Sequence, residues 1–242
     1  MSATEALQEH ILVELPGARA LFTTRHGGFS RGPYESLNLG RLTDDDPAAV
    51  ERNRELLQAS LGVGFTYGRQ VHGRRVVRAT SGPDSDLPPV EADGHATAVP
   101  GLAPMVVTAD CLPIAVAGGG AVAMLHAGWR GLAAQIVAEG VKAVRELGGA
   151  PDGRLGAAIG PGAGPCCYEV NEDVHRVFEP FGPEVRRGQN LDLKAAARRA
   201  LNDAGVTDVY DVGLCTICCE RFFSHRRQHG VTGRQGGIAW LS

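Results

Sequence analysis

Three residues in short, turn-rich or strand-ending phrases, His72 in RQVHG, Cys111 in TADCLPI and His126 in LHAGWRG, have the chemistry of a metal centre. A soft thiolate with two imidazoles suits zinc in tetrahedral geometry. The three lie far apart in sequence, without the close ligand pairs of a closed zinc knuckle. Three ligands from three segments leave a fourth position for water or substrate, which is what a catalytic metal needs. Asp110, beside Cys111, is a candidate proton carrier, or the fourth ligand of a purely structural site. Copper held by the same His2Cys set with Met105 or Met124 is a second donor arrangement. Taken singly, a buried His or Cys is more often a structural group.

Arg69, Arg130, Arg226 and Arg234 sit inside the glycine- and histidine-containing phrases, where a guanidinium fork would suit phosphate or carboxylate. Arg186-Arg187 and Arg198-Arg199 read as surface ion-pairing residues. Several named chemistries are absent: there is no His-Glu-x-x-His, no deaminase His-x-Glu with Pro-Cys-x-x-Cys and no GxxxxGK[ST] loop. Gly160-Pro161-Gly162-Ala163-Gly164 offers backbone N–H groups that an anion could use, but Pro165 replaces the last glycine of GxGxxG and a tight strand-to-helix turn is the favoured reading. Cys215 and Cys218 have knuckle spacing, whereas Cys166-Cys167 does not, so these four read as buried or partly solvated thiols; Cys219 has no assigned role.

These side chains need a scaffold, and 242 residues suffice for one large core. A net charge of −3 provides no basic surplus for nucleic acid or an anionic membrane, so neither is expected as a partner. MSATEALQEHILVELPG carries Glu5, Glu9 and Glu14 and no basic n-region, which reads against a secretory leader. The longest uncharged apolar run, Cys111 to Leu125, is too short to span a bilayer and contains Pro113 and a triple glycine. Six cysteines without a leader fit reduced thiols in a cytoplasmic setting.

Strands are expected in ALFTT, RRVVRAT, PMVVTA, LPIAVA, AVAMLHA, LGAAI, TDVYDVG and GIAWLS, with LPIAVA and AVAMLHA forming a hairpin around GGG. Asp46-Pro47 opens a helix that Leu61-Gly62 ends. LAAQIVAEGVKAVREL is expected as one helix stopping at Gly148-Gly149. Asn171 caps NEDVHRVFEPF, and Asp192 caps LKAAARRALNDA ahead of Gly205. No repeat, heptad array or long linker interrupts the chain, so residues 1–242 are read as one α+β domain.

The ordered phrases TTRHGGFS, SLNLG, RQVHG, ADG, TADCLPI, HAGWRG, IGPGAGPCCYEV, FFSHRR and TGRQ resemble a known family over nearly the whole chain. This is the YfiH-like family, also called the laccase-domain or polyphenol-oxidase, purine nucleoside phosphorylase and peptidoglycan editing factor family. In IGPGAGPCCYEV the chain lacks the isoleucine that often precedes the second glycine, while Cys167 to Val170 match. The resemblance implies a YfiH-like α+β fold of mixed β-sheets flanked by helices. It implies Zn2+ on His72, Cys111 and His126, with copper as the alternative metal. It further implies phosphorolysis of adenosine, inosine, guanosine and methylthioadenosine, with deamination of adenosine. Purine nucleosides and phosphate are then the partners. His72, Cys111, His126 and Asp110 form the expected catalytic set, and Arg69, Arg130, Arg226, Arg234 and Asn38 the substrate- or phosphate-binding set.

Two other activities compete for the same ligands. A zinc-activated water could remove a misincorporated L-serine from a nucleotide-linked muramoyl precursor in cell-wall editing. A laccase-type polyphenol oxidase would need many histidines, typically in His-x-His pairs, and the eight histidines here contain no such pair.

Overall fold

A computed structural model describes residues 9–84, 86–148 and 153–242. The leader reading falls partly on residues 1–8, and the helix stop at Gly149 on residues 149–152; both lie outside the described residues. The chain enters through a hairpin of β1 (Ile11–Leu15) and β2 (Ala18–Phe22), turning at Gly17 with φ 68°. Helix α1 (Pro47–Leu61) has the expected ends. The Asp46 side chain accepts the Ala48 N–H, and Gly62 closes the helix at φ 68°. Short strands β3 (Gly64–Thr66), β4 (Val76–Arg78) and β5 (Gly94–Thr97) follow.

The three long apolar runs become β6 (Leu102–Thr108), β7 (Leu112–Gly118) and β8 (Ala121–Ala127). As expected, β7 and β8 pair antiparallel around the glycine turn, from Leu112↔Ala127 to Gly118↔Ala121. The single helix expected over 132–147 is instead broken into α2 (Trp129–Ala133) and α3 (Ile136–Leu147), with Gln135 at φ 69° between them. The physical reason is that the two pieces serve different surfaces. Helix α2 begins against Cys111, whereas α3 lays Ile136, Val137, Val141 and Val144 into the core.

Strand β9 (Gly156–Ile159) precedes α4 (Glu172–Phe178), where the Asn171 side chain accepts the Val174 N–H. A two-residue ribbon, β10 (Arg186–Arg187) and β11 (Asn190–Leu191), leads to α5 (Leu193–Asp203), capped by Asp192 on the Ala195 N–H. Strands β12 (Asp208–Asp211) and β13 (Gln235–Leu241) complete the chain.

The strands form a five-stranded sheet, β1-β2-β13-β6-β3, and a six-stranded sheet, β12-β9-β7-β8-β5-β4. Both are mixed, with parallel pairs β3/β6, β12/β9 and β4/β5. The period-2 alternation of β7 sorts its side chains between two cores. Ile114 and Val116 pack with α3 and α5, while Ala115 and Ala117 meet Ala20, Phe22 and Ala239 of the other sheet. Helix α1 covers the outer face of the five-stranded sheet, with Leu57 clustered on Leu21, Met105, Ile238 and Trp240. The result is helix, sheet, sheet, helix. The inner faces are alanine-rich and approach closely: a Cβ on Gly237 would lie 2.5 Å from Pro113 Cβ. Among the described residues, no helix is long and apolar enough to cross a membrane.

Candidate active site

Strand register brings the three ligand candidates together. Pro113 lies opposite His126, so Cys111, two residues earlier, falls beside it at the end of the β7–β8 hairpin. Strand β5 pairs with the other side of β8, Gly94 opposite Leu125, which delivers Asp93 to the same end. The donor atoms of His72, Cys111 and His126 lie within 4.8 Å of one another. A tetrahedral zinc with bonds of 2.0–2.3 Å needs ligand atoms about 3.3–3.8 Å apart, so the set fits one ion. Gly128 makes the close approach possible, since a Cβ there would stand 2.7 Å from Cys111 Sγ.

Asp93, in the phrase ADG, is a functional residue to which its motif assigns no role. Fully buried, it accepts the backbone N–H groups of Val71, His72 and Gly73 at 3.1, 2.8 and 2.7 Å. These bonds hold His72 in its left-handed turn at φ 60°. Its Oδ1 also accepts His126 Nδ1 at 2.8 Å, which leaves Nε2 as the nitrogen free to ligate. Burial alone would raise the Asp93 carboxyl, but the bonds from His126, Gly73 and Val71 hold it below the usual carboxylate range.

The metal-free triad is itself polarised. Burial would raise the Cys111 thiol, yet His126 and then His72 pull it down to about 6. Burial would lower His126, yet the Cys111 thiolate and Asp93 bring it up to about 9. The thiol is therefore ready to bind a cation as thiolate at neutral pH.

The triad opens into a cavity of about 720 Å³, within the usual range for small-molecule sites. Arg69, Arg130, Arg226 and Arg234 all line it, as does the unanticipated Arg54. Arg130 stacks over Trp129 and Arg226 over Tyr168, at 4.3 and 5.2 Å from the ring centroids. Arg69 pairs with Glu91 and is exposed. Arg234 donates to the Thr232 and Gly233 carbonyls at 2.8 and 2.9 Å, and burial lowers its pKa. Arg54 is buried; burial and then Arg41 bring its guanidinium down to about 10, still charged at neutral pH. Its Nε and Nη2 both reach the Leu39 carbonyl, while Nη1 has no hydrogen-bond partner, and the buried Thr108 hydroxyl likewise has none. Tyr168 is pushed up to about 12 by burial and the nearby Cys111, so it remains a hydroxyl donor. A second cavity, of about 680 Å³ beside Arg145, Arg154 and Asp208, includes no thiol or imidazole.

Two residues expected to act on substrate are engaged elsewhere. Asp110 accepts the Thr216 hydroxyl on one carboxylate oxygen at 2.7 Å and the Arg226 backbone N–H on the other at 2.8 Å. It thus ties the Arg226 loop to the Cys111 turn. Asn38 is fully buried and is not among the cavity's lining residues. Its amide donates to Thr43 and Asp45, and its oxygen accepts the N–H groups of Gly40 and Arg234, which uses its hydrogen-bonding capacity and sets the backbone under Arg234. In the glycine-rich loop, the N–H groups of Gly160, Gly162, Ala163 and Gly164 go to Pro113, Leu214, Asp110 and the Cys215 sulfur, so the turn reading holds over the anion reading. Met105 packs on the α1 side and Met124 between the sheets; neither lines the cavity to serve as an axial copper ligand.

Residues 19–242 match the family described as "Multi-copper polyphenol oxidoreductase laccase". A Pseudomonas aeruginosa protein named Purine nucleoside phosphorylase PA4543 is 40% identical over 235 residues, covering 92% of this chain and 93% of its own. The crystal structure of Neisseria meningitidis protein NMB0706 superposes with a TM-score of 0.85 at 35% identity, covering 97% of this chain and 100% of the other. That of Bacillus licheniformis hypothetical protein YfiH gives 0.85 at 32% identity, covering 93% of each. Among the described residues, possible metal ligands gather in groups of three or more at two places, this triad and a set of four cysteines. Neither supplies the many histidines of a multi-copper array. The phrases, the α+β fold of mixed sheets flanked by helices and the matches over nearly the whole length agree: the chain belongs to the YfiH-like, laccase-domain family.

Proposed function

We propose that this chain is a zinc-dependent purine nucleoside phosphorylase, acting on adenosine, inosine, guanosine and methylthioadenosine, and that it also deaminates adenosine. The observation that carries this reading is a three-ligand centre opening into a cavity lined by six arginines, four of them in the phrases above, and three aromatic rings. The name of the Pseudomonas aeruginosa relative supports it. Zinc on His72, Cys111 and His126 would supply Lewis acidity at a fourth coordination position.

The chain's own residues meet the remaining demands. Phosphorolysis forms a bond from a phosphate oxygen to the ribose C1′ while the bond from C1′ to the purine breaks and its electron pair leaves with the base. The unpaired Arg54 Nη1 and the guanidinium groups of Arg130 and Arg226 suit the phosphate, and preorganised positive charge offsets its charge in the transition state. Thr108 offers its unpaired hydroxyl to a ribose oxygen. Trp129 and Tyr168 give the purine an apolar wall, and the protonated Tyr168 hydroxyl can donate to it. Asp93 keeps His126 in the ligating tautomer throughout.

The test is mass-spectrometric turnover of adenosine and inosine, with and without phosphate, on metal-quantified protein and on His72→Ala, Cys111→Ala and His126→Ala. Phosphate-dependent release of free base with ribose 1-phosphate supports phosphorolysis, and inosine from adenosine supports deamination. Variants that keep both metal and full activity would overturn the assignment.

A further inference from the structure

Outside the site just described, four sulfurs converge. Cys166 and Cys167 follow the glycine-rich loop after β9, and Cys215 and Cys218 lie in the loop after β12; their four Sγ atoms are all within 4.8 Å of one another. Cys218 Sγ is 3.2 Å from that of Cys166 and 2.8 Å from that of Cys167, so it serves neither one as an exclusive partner. A tetrahedral zinc with Zn–S bonds of about 2.3 Å has sulfur–sulfur edges of about 3.8 Å, inside the 4.8 Å limit of the set, and the two Cys218 contacts would open slightly to admit the ion.

The backbone around Cys215 is arranged for a thiolate. Its sulfur accepts the Gly164 N–H at 3.2 Å and the N–H groups of Ile217 and Cys218 from its own turn. Amides two and three positions on, aimed back at the first sulfur of Cys-x-x-Cys, stabilise negative charge there. The carbonyls of the same turn face the other way. Arg227 gathers those of Thr216, Ile217 and Cys219 at 2.6, 3.0 and 3.3 Å, and that of Phe222 at 2.5 Å. Donors therefore face the Cys215 sulfur, and a cation sits behind the loop, an arrangement that favours negative charge at this end of the cluster.

We propose that Cys166, Cys167, Cys215 and Cys218 bind a second, structural zinc ion that joins the two loops forming one wall of the substrate cavity. With four protein ligands this centre would be closed, in contrast to the open triad. One loop carries Tyr168, whose ring lies under Arg226; the other continues through Thr216, bonded to Asp110, to Arg226 itself. The direct protein links between them include the Gly162↔Cys215 bridge and the Arg226 Nη1 bond to the Glu169 carbonyl at 3.0 Å. A metal here would fix the spacing of Tyr168 and Arg226 from outside the cavity.

Zinc content and cobalt spectra of the full chain, purified without chelator, test this separately from the catalytic reading. The wild type should carry about two zinc ions per chain, and Cys111→Ser and a Cys166→Ser/Cys218→Ser double variant about one each. Cobalt-loaded Cys111→Ser should show intense sulfur-to-cobalt charge-transfer absorption, and Cys219→Ser should leave the stoichiometry unchanged. Because the cobalt readout uses a protein with the cluster intact, it stands even if the double variant fails to fold. Cys111→Ser protein without zinc and without thiolate–cobalt absorption would overturn the proposal. So would an intact mass lighter by two hydrogens that reductant restores, the mark of a disulfide within the four.

Discussion

Replacing Asp93 with Asn changes almost no volume but removes one acceptor from a buried group that serves four donors. Asn has two ways to sit. If its amide nitrogen takes the place of Oδ2, the N–H groups of Val71 and Gly73 both face a donor, at roughly 1–3 kcal/mol for each unpaired group. If the nitrogen takes the place of Oδ1, only the His72 N–H is stranded, because His126, an imidazolium in the metal-free protein, can release its Nδ1 proton and accept there. The second arrangement is cheaper by about one unpaired donor, so it wins. Its consequence falls on function: Nε2, the nitrogen needed for the metal, keeps the one remaining ring proton. The metal-free fold should lose about 1–3 kcal/mol, which for a chain of this size lowers Tm by roughly 2–12 °C. Zinc affinity should fall by at least about 10–100-fold, the usual cost of losing a group that orients a histidine ligand. Chelator-competition titration at neutral pH measures the affinity, melting of the metal-free proteins gives the stability, and nitrogen chemical shifts of His126 report the tautomer. If Asp93→Asn binds zinc within about twofold of wild type with His126 still protonated on Nδ1, the positioning argument is wrong.

Gly128→Ala places a Cβ 2.7 Å from Cys111 Sγ at an ordinary backbone conformation, so the strain falls on the thiol. Metal content should drop while Tm of the metal-free protein shifts by only a few degrees, and an unchanged zinc stoichiometry would contradict the close approach. Arg54→Met removes from the cavity lining a guanidinium whose buried Nη1 has no hydrogen-bond partner, and loss of a charge-assisted bond to phosphate should raise its KM by about 10–100-fold. A rise in KM for nucleoside alone would move the phosphate elsewhere. In the metal-stripped protein, Cys111, lowered from 9.0 to about 6, adds stability above 9 and loses it as pH falls through 6. His126, raised from 6.5 to about 9, adds its full share below 6.5 and loses it as pH rises through 9. The ion pair therefore spans the window from about 6 to about 9, and alkylation of Cys111 should follow a midpoint near 6 and be blocked by zinc. An alkylation midpoint near 8.5, that of a free thiol, would refute the pairing.

What the chain order discloses and what it hides divide along one physical line. Features set by nearby residues were readable: the Asp46, Asn171 and Asp192 caps, the Gly62 stop and the hairpin at Gly118 to Gly120 all depend on a few neighbouring side chains. Strands β3 and β5, of three and four residues, have too little length for alternation to show. The break at Gln135 stayed hidden because apolar spacing continues on both sides of it. Asn38 misled for the opposite reason: a polar residue in SLNLG looks available, yet tertiary partners fill it.

The site repeats this division at the level of chemistry. Metal ligands announce themselves by type, since few other roles demand a thiol and two imidazoles in turn-rich phrases. The groups that orient them are ordinary residues made special by register. Asp93 before a glycine looks like a turn former, and its value depends on β5 pairing with β8 so that one carboxylate reaches both His126 and the His72 turn. The four-cysteine cluster is hidden for the same reason, because the adjacent Cys166 and Cys167 lack knuckle spacing and their partners arrive 50 residues later through the Gly162↔Cys215 bridge. Substitutions at these register-dependent groups should therefore loosen metal and substrate geometry while every motif residue remains in place.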